Sequence, residues 1–290
     1  ERALMEDIGF CDLTSELAIP AHATAEFAIN ARHPMVIAGI EIAGAVFRRY
    51  VPEATIKLEV GDGSRATKGQ VLARVSGPAR GLLSAERTAL NILQHLSGIA
   101  TLTAQYVDKI AGTRAVLLDT RKTTPGLRRL EKWATVCGGA TNHRIGLFDA
   151  VLIKNNHITA AGGVREALER VRKAGVPDGV AIEIEVRTRG ELEEALTFGA
   201  DHLLLDLVDL GLDGAIVATG ALDLADAAQF IDARGGMAAQ RRQLLGRQAL
   251  APDLAQHVEL ALAHEVVAAL ALDHRPQLGL GLVALGVVLA

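Results

Sequence analysis

The pattern that most limits the fold of this chain is the alternation of apolar runs with amphipathic stretches through its middle. "RAVLLD" ends at Asp119, "AVLIK" at Lys154, "VAIEIEV" at Val186 and "HLLLD" at Asp206. Between the last three lie "GGVREALERVRKAG" and "TRGELEEALTFGA", each with apolar residues at helical spacing. Buried strands alternating with amphipathic helices predict βαβ units and a parallel sheet, because a parallel neighbour is reached only through a crossover. A barrel is the leading expectation. At 290 residues there is room for two domains, or a barrel with an appendage, since a domain averages roughly 150.

From Ala25 to Gly81 the texture differs. "AEFAINA", "HPMVIAG", "TIKLEV", "VLARVSG" and "ARGLLS" read as short strands around one helix, "IEIAGAVFRRY", and Gly61-Asp62-Gly63 signals a hairpin. A small α+β domain fits. With Ser84 as N-cap, Leu90, Leu93, Ile99 and Leu102 space a long helix that leaves this domain near Ala111. The expected organisation is an α/β domain over 1–110, a barrel over 111–265, and a C-terminal segment, 266–290, returning to the first domain.

In such barrels chemistry sits at the carboxyl ends of the strands and in the loops beyond them. Asp119, Arg121, Lys122, Lys154, Glu185 and Asp206 all lie there. Between Asp119 and His157 there are seven Lys or Arg against three acids, in a chain of net charge −4. Arg128, Arg129 and Lys132 on "GLRRLEKWA" suit a solvated helix face as well as a ligand. Arg121, Lys122 and Lys154 fit a barrel mouth better, where Arg grips carboxylate or phosphate with a fork and Lys adds a point charge. The acidic net charge and 3% aromatic content argue against nucleic acid as the anion. A small, multiply charged ligand is expected instead.

Glu183 and Glu185 are two residues apart, so strand periodicity puts both on one face, with Ile182, Ile184 and Val186 on the other. With Asp206 they would suit Mg²⁺ bridged to phosphates, or would pair with nearby Lys and Arg. Most of the nine histidines read as scattered; His143 of "TNHR" sits between the cations and Lys154, and "CGGA" offers backbone that could approach a phosphate. Cys11 and Cys137 form no disulfide framework or zinc spacing. "LGLGLVALGVVLA" from Leu278 has 13 residues, short of the roughly 18 that suggest a membrane span. No membrane segment and no signal peptide are expected, and the setting is read as cytoplasmic.

The strings "EDIGFCDLTSE", "SAERTALNILQHLSGIAT" and "DTRKTTPGLRRLEKWATVCGGATNHRIGLFDAVLIKNNHI" resemble the quinolinate phosphoribosyltransferase family, from about Met5 to Asp206. The resemblance implies an N-terminal α/β sandwich and an incomplete TIM-like α/β barrel, the type II phosphoribosyltransferase fold. It implies conversion of quinolinate and phosphoribosyl pyrophosphate, with Mg²⁺, into nicotinate mononucleotide, pyrophosphate and CO₂ on the de novo route to NAD. Carried over by motif, Thr120, Arg121, Lys122, His143 and Arg144 line the quinolinate pocket, and Lys154 lies near the reacting groups. Glu185 and Asp206 face the ribose and the metal, with Lys122, Lys154, Glu185 and Asp206 as the catalytic set. Arg87 of "ERT" would reach the neighbouring subunit's site, which implies a homodimer or a higher assembly of it. A sibling transferase with another ring substrate, or a non-catalytic anion-binding relative, are the alternatives.

Beyond Asp206 the chain departs from the family. The 84 residues 207–290 contain no Ser, Lys, Asn, Tyr or Trp and one Thr, at 219. True divergence and an error in this stretch of the sequence, such as a shifted reading frame, are the two readings of that change. The barrel's need for its remaining strands favours the second. Glycines around 220 and 235 are poor substitutes for a phosphate loop, so no phosphate-binding residue is assigned past Asp206.

Overall fold

A computed structural model describes residues 1–112, 115–206, 215–219 and 286–289. Residues 207–290, with the glycines around 220 and 235, lie outside the described residues except for two short strands. The chain divides into two compact units. One comprises Glu1–Asp108 with Thr124–Ala140, the other Lys109–Thr123 with Thr141–Ala290.

The first unit opens with α1 (Arg2–Ile8) and α2 (Leu13–Ala18), followed by β1 (Thr24–Asn30), β2 (Met35–Val36), α3 (Ile40–Tyr50), β3 (Thr55–Leu58), β4 (Arg65–Ala66) and β5 (Val71–Pro78). Strands β1, β5 and β3 form an antiparallel sheet in that order, and β2 pairs with β4. Phe47, Ile37, Ile40, Val75 and Leu82 are fully buried in its core. The Gly61-Asp62-Gly63 turn does not join paired strands as expected, since β3 pairs with β5 and β4 with β2. Asp62 instead accepts the Ile40 N–H at the start of α3 (3.0 Å) and the Trp133 indole N–H (2.7 Å).

"ARGLLS" is helix rather than strand. It opens α4 (Ala79–Ile110), and Ser84 lies inside that helix, its hydroxyl bonded to the Arg80 carbonyl (2.9 Å) and to Asp12 (3.0 Å). Thr88 bonds Asp7 (3.2 Å). Hydroxyls four residues apart share a helix face, so this stripe of α4 anchors the segments carrying α1 and α2. Further along, Leu96, Ile99, Ala100 and Ala104 bury against Ala134 of α5 (Arg128–Cys137). The "CGGA" backbone serves this packing. A Cβ on Gly138 would lie 2.5 Å from the Ala100 carbonyl oxygen, so only glycine admits the approach.

The second unit carries β6 (Ala115–Leu118), β7 (Val151–Ile153), α6 (Asn155–Ala161), α7 (Val164–Ala174), β8 (Ile182–Val186), α8 (Arg189–Thr197), β9 (His202–Asp206), β10 (Ala215–Thr219) and β11 (Gly286–Leu289). Strands β7, β8 and β9 are parallel neighbours, as the βαβ rhythm predicts. The six-stranded sheet is nevertheless mixed, in the order β6-β11-β10-β9-β8-β7, with β10 antiparallel to β9 and β11 antiparallel to β6. Only residues 207–214 separate β9 from β10, too few for a crossover of about a dozen residues but enough for an antiparallel return.

Every residue of β8 is buried. Ile182, Ile184 and Val186 join Ile153, Leu168, Leu192, Leu203 and Leu205 in one core. A one-residue slip would turn Glu183 and Glu185 into that core, so the register is strongly held. Each apolar side chain contributes about 1.5–3 kcal/mol on burial.

On α5, Glu131 and Lys132 are buried, so of the two roles open to Lys132 the solvated face is ruled out; Arg128 is half-buried and Arg129 exposed. The Glu131 carboxylate accepts from His95 Nε2 (2.9 Å) and the Thr124 N–H (3.0 Å). Burial pushes its carboxyl upward, but the bonds from Thr124 and His95 outweigh burial and hold it below the ordinary 4.5. A carboxyl depressed in the folded state stabilises it above the unfolded value, and that stability is lost as pH falls through the folded one. Glu131→Gln should therefore cost about 1–3 kcal/mol near neutrality. In urea melts the gap from wild type should close as pH drops below 4.5; a gap independent of pH would contradict the assignment.

Candidate active site

The site is built where β6 ends. The Asp119 N–H donates to the Thr141 carbonyl (3.1 Å), and the Thr141 N–H donates to that of Leu117 (2.8 Å). Residues 141–144 thus run beside the strand end. Asp119, itself buried, accepts the His143 N–H at 2.8 Å. One carboxylate in this way brings Thr120-Arg121-Lys122 alongside His143-Arg144, two segments that neither helical nor strand periodicity could connect.

The Lys122 N–H donates to the Thr120 hydroxyl (3.1 Å), and the Lys122 side chain is exposed. Arg144 donates one Nη to the Ala150 carbonyl (3.2 Å), in a turn closed by Asp149, which accepts the N–H groups of Ile145 (2.7 Å) and Gly146 (2.9 Å). Burial and then the nearby Arg121 guanidinium lower the pKa of Arg144, with Glu183 and Asp149 opposing. The Nε atoms of Arg121 and Arg144 are both buried without a hydrogen-bond partner. Two adjacent guanidiniums with orphaned buried donors suit an anion with several oxygens, since an unmade buried hydrogen bond is costly.

The carboxylates project from the sheet face opposite the helix-facing core, the face to which Leu118, Leu152 and Leu204 also contribute. Glu183 Oε2 meets His143 Nε2 at 2.7 Å, and Glu185 Oε2 meets Lys154 Nζ at 2.6 Å. The Lys154 N–H, at the start of α6, donates to His157 Nδ1 (2.9 Å). Asp206 closes β9, paired with Ala215 across the ladder.

Of the expected site residues, Thr120, Arg121, Lys122, His143, Arg144, Lys154, Glu185 and Asp206 all belong to the second unit, at strand ends or in the loops beyond them. Arg87 belongs to the first unit, exposed on α4, as do Arg128, Arg129 and Lys132. The cationic run of the sequence is therefore shared between units. Sequence reasoning passed over Asp119 as a clamp and Glu183 as a partner for His143. The period shared with Glu185 pointed to Glu183, whereas the partner of Asp119 lies 24 residues away and left no local signal. Cys137, in the first unit, is pushed up to about 11 by burial and Asp62, so it stays a thiol at neutral pH. Among the described residues no group of three or more His, Cys, Asp or Glu could hold a metal by itself.

Two family models match the chain: "Quinolinate phosphoribosyl transferase, N-terminal domain" over residues 12–97 and the corresponding C-terminal domain over 99–241. The chain is 44% identical over 208 residues to the nicotinate-nucleotide pyrophosphorylase [carboxylating] of Mycobacterium leprae, covering 71% of this chain and 72% of that protein. It is 43% identical over 202 residues to a probable enzyme of the same name from Bacillus subtilis, covering 70% and 69%. Among solved structures, NadC from Streptococcus pyogenes superposes with TM-score 0.68 at 36% identity, covering 81% of this chain and 78% of that one. The nicotinate-nucleotide pyrophosphorylase of Francisella tularensis superposes with TM-score 0.69 at 34% identity, covering 79% and 78%.

If Asp119 is the clamp described, Asp119→Ala should cost about 1–3 kcal/mol, the penalty for stranding a buried N–H. Asp119→Asn, which keeps an acceptor, should cost less. Equal denaturation midpoints for the two variants would refute the clamp.

Proposed function

Since this chain belongs to the quinolinate phosphoribosyltransferase family, we infer that it joins quinolinate to phosphoribosyl pyrophosphate, forming nicotinate mononucleotide, pyrophosphate and CO₂ in NAD biosynthesis. It is a decarboxylating pentosyltransferase. The observation that carries the reading is the Arg121–Arg144 pair, whose buried Nε donors lack partners. A pyridine dicarboxylate offers four oxygens to such a pair, and Lys122 and His143 stand beside them in sequence.

Two polyanions repel, so the first task of the site is to offset that repulsion and hold the pyridine nitrogen in line with the anomeric carbon. The cations on the β6 side take the dicarboxylate. Lys154 is tied to Glu185 at 2.6 Å and serves the reacting groups from the side of the acids. As the ring nitrogen bonds to the ribose carbon, the bond to pyrophosphate breaks. The positive charge developing on the ribose is stabilised by Glu185 and Asp206. The carboxylate next to the ring nitrogen then leaves as CO₂, its electron pair stays on the ring carbon, and that carbon takes a proton. Arg121, Lys122 and Arg144 stabilise the carbanion-like ring before protonation. No covalent nucleophile is needed.

Mg²⁺ bound to phosphates needs only one or two protein carboxylates. Glu185, with one oxygen engaged by Lys154, fits that requirement, and Glu185 and Asp206 would hold the ion. Bound there, it would neutralise the departing pyrophosphate. Arg87, exposed on α4, would serve the neighbouring subunit of a homodimer. We place the protein in the cytoplasm; no helix among the described residues is long and apolar enough to cross a membrane.

The direct test combines protein, Mg²⁺, quinolinate and phosphoribosyl pyrophosphate and follows nicotinate mononucleotide and CO₂. Both should appear together, and product from nicotinate without CO₂ would refute the substrate assignment. Lys122→Ala and Arg144→Ala should each weaken quinolinate binding at least about tenfold, roughly 1.4 kcal/mol, and phosphoribosyl pyrophosphate binding by no more. Unchanged quinolinate affinity in both variants would remove these residues from the pocket.

A further inference from the structure

Glu183 has no role in the reaction as derived above, yet its position is an expensive one for a carboxylate. It is 4% exposed, and its sheet neighbours in register are Leu152 and His202. Burying a carboxylate costs several kcal/mol unless it is paired. A leucine, as at 152 and 204 on the same face, would complete the interior without that cost. The bond Glu183 does make is to His143 Nε2 at 2.7 Å, across 40 residues of chain. Its other oxygen, Oε1, is buried without a partner, so simple electrostatic satisfaction does not explain the residue.

His143 is held at two points. Its backbone N–H is fixed by Asp119 Oδ1 (2.8 Å) and its ring by Glu183 Oε2. An ionised carboxylate only accepts, so Nε2 carries the hydrogen. A ring anchored through both main chain and side chain loses its rotamer freedom before a ligand arrives, which spares binding that cost. The neighbouring carboxylate on the strand, Glu185, is engaged by Lys154 rather than by His143. The two acids of "IEIEV" thus serve different partners.

We infer that Glu183 is a positioning residue for quinolinate, holding the His143 imidazole in the orientation that the dicarboxylate pocket requires. This rests on the reading that quinolinate lies against His143 and Arg144. Glu185 and Glu183 divide the site, one toward the ribose and the other toward the pyridine ring. Glu183 itself touches neither substrate.

The test compares Glu183→Leu, Glu183→Gln and His143→Ala with the full-length wild-type protein in steady-state kinetics. Glu183→Leu should raise the KM for quinolinate about tenfold while kcat and the KM for phosphoribosyl pyrophosphate stay within about threefold. Glu183→Gln, which retains an acceptor for Nε2, should recover part of that loss. Adding Glu183→Leu to His143→Ala should cost little more than His143→Ala alone, because partners in one interaction are not additive. A quinolinate KM within about twofold of wild type, equal shifts in both KM values and kcat, or full additivity would each overturn the proposal. A second readout needs no turnover: ¹⁵N NMR of the unliganded protein should show His143 with hydrogen on Nε2, altered in Glu183→Leu. An unaltered signal would overturn the contact itself. An altered signal in a protein that makes no nicotinate mononucleotide would strike the activity reading, and the kinetic role of Glu183 with it.

Discussion

Strand β8 has to be two things at once, and the rest of the second unit follows from that requirement. One face is Ile182, Ile184 and Val186, packed under the helices, and the other is the two buried carboxylates of Glu183 and Glu185. Neither carboxylate could remain there alone. A buried ion left unpaired costs several kcal/mol, so the fold must deliver a cation or a donor to each. Lys154 arrives from the end of the parallel neighbour β7, and His143 from the loop that returns beside β6. The apolar face sets the register, and the register sets where these partners must stand.

The two arginines with buried Nε atoms are brought together by the same economy of contacts. Asp119 accepts a main-chain N–H and so joins two loops that carry the cations. Arg121 and Arg144 are brought together against their mutual repulsion, and burial adds to the strain on Arg144. Such a pair is maintained by the surrounding fold rather than by its own attraction. It suits a ligand of opposite charge, unlike a salt bridge already satisfied.

Much of this was visible in the residues. The period-two pattern of "IEIEV" put both acids on one face, and the helical repeats of α7 and α8 matched the structure because burial on a single face leaves a clear periodicity. The apolar runs also placed Arg121, Lys122 and Lys154 just past strand ends, where the structure has them. Other features were hidden for physical reasons. "ARGLLS" looked like a strand ending at an N-cap, whereas it opens α4, and the partner that Ser84 meets there, Asp12, lies 72 residues back and left no local signal. The burial of Lys132 depended on tertiary packing, since nothing in "RRLEKWA" distinguishes a buried lysine from a solvated one. The mixed sheet was equally hidden, because strand direction is set by the length of chain between strands and not by the strands themselves.

The first unit is made of two stretches separated by Lys109–Thr123. On helix α4, Leu96, Ile99, Ala100 and Ala104 share one core with Val36 and Ala38, and that core is completed only when Ala134 of α5 joins it. During synthesis the side of that core which Ala134 closes therefore stays open until α5 has cleared the ribosome, after the antiparallel sheet of the same unit has been made. The amino-terminal half is consequently a late-closing body, dependent on a nascent segment that the other unit interrupts, and a gene fragment that stops at the end of α4 would encode an unfinished surface.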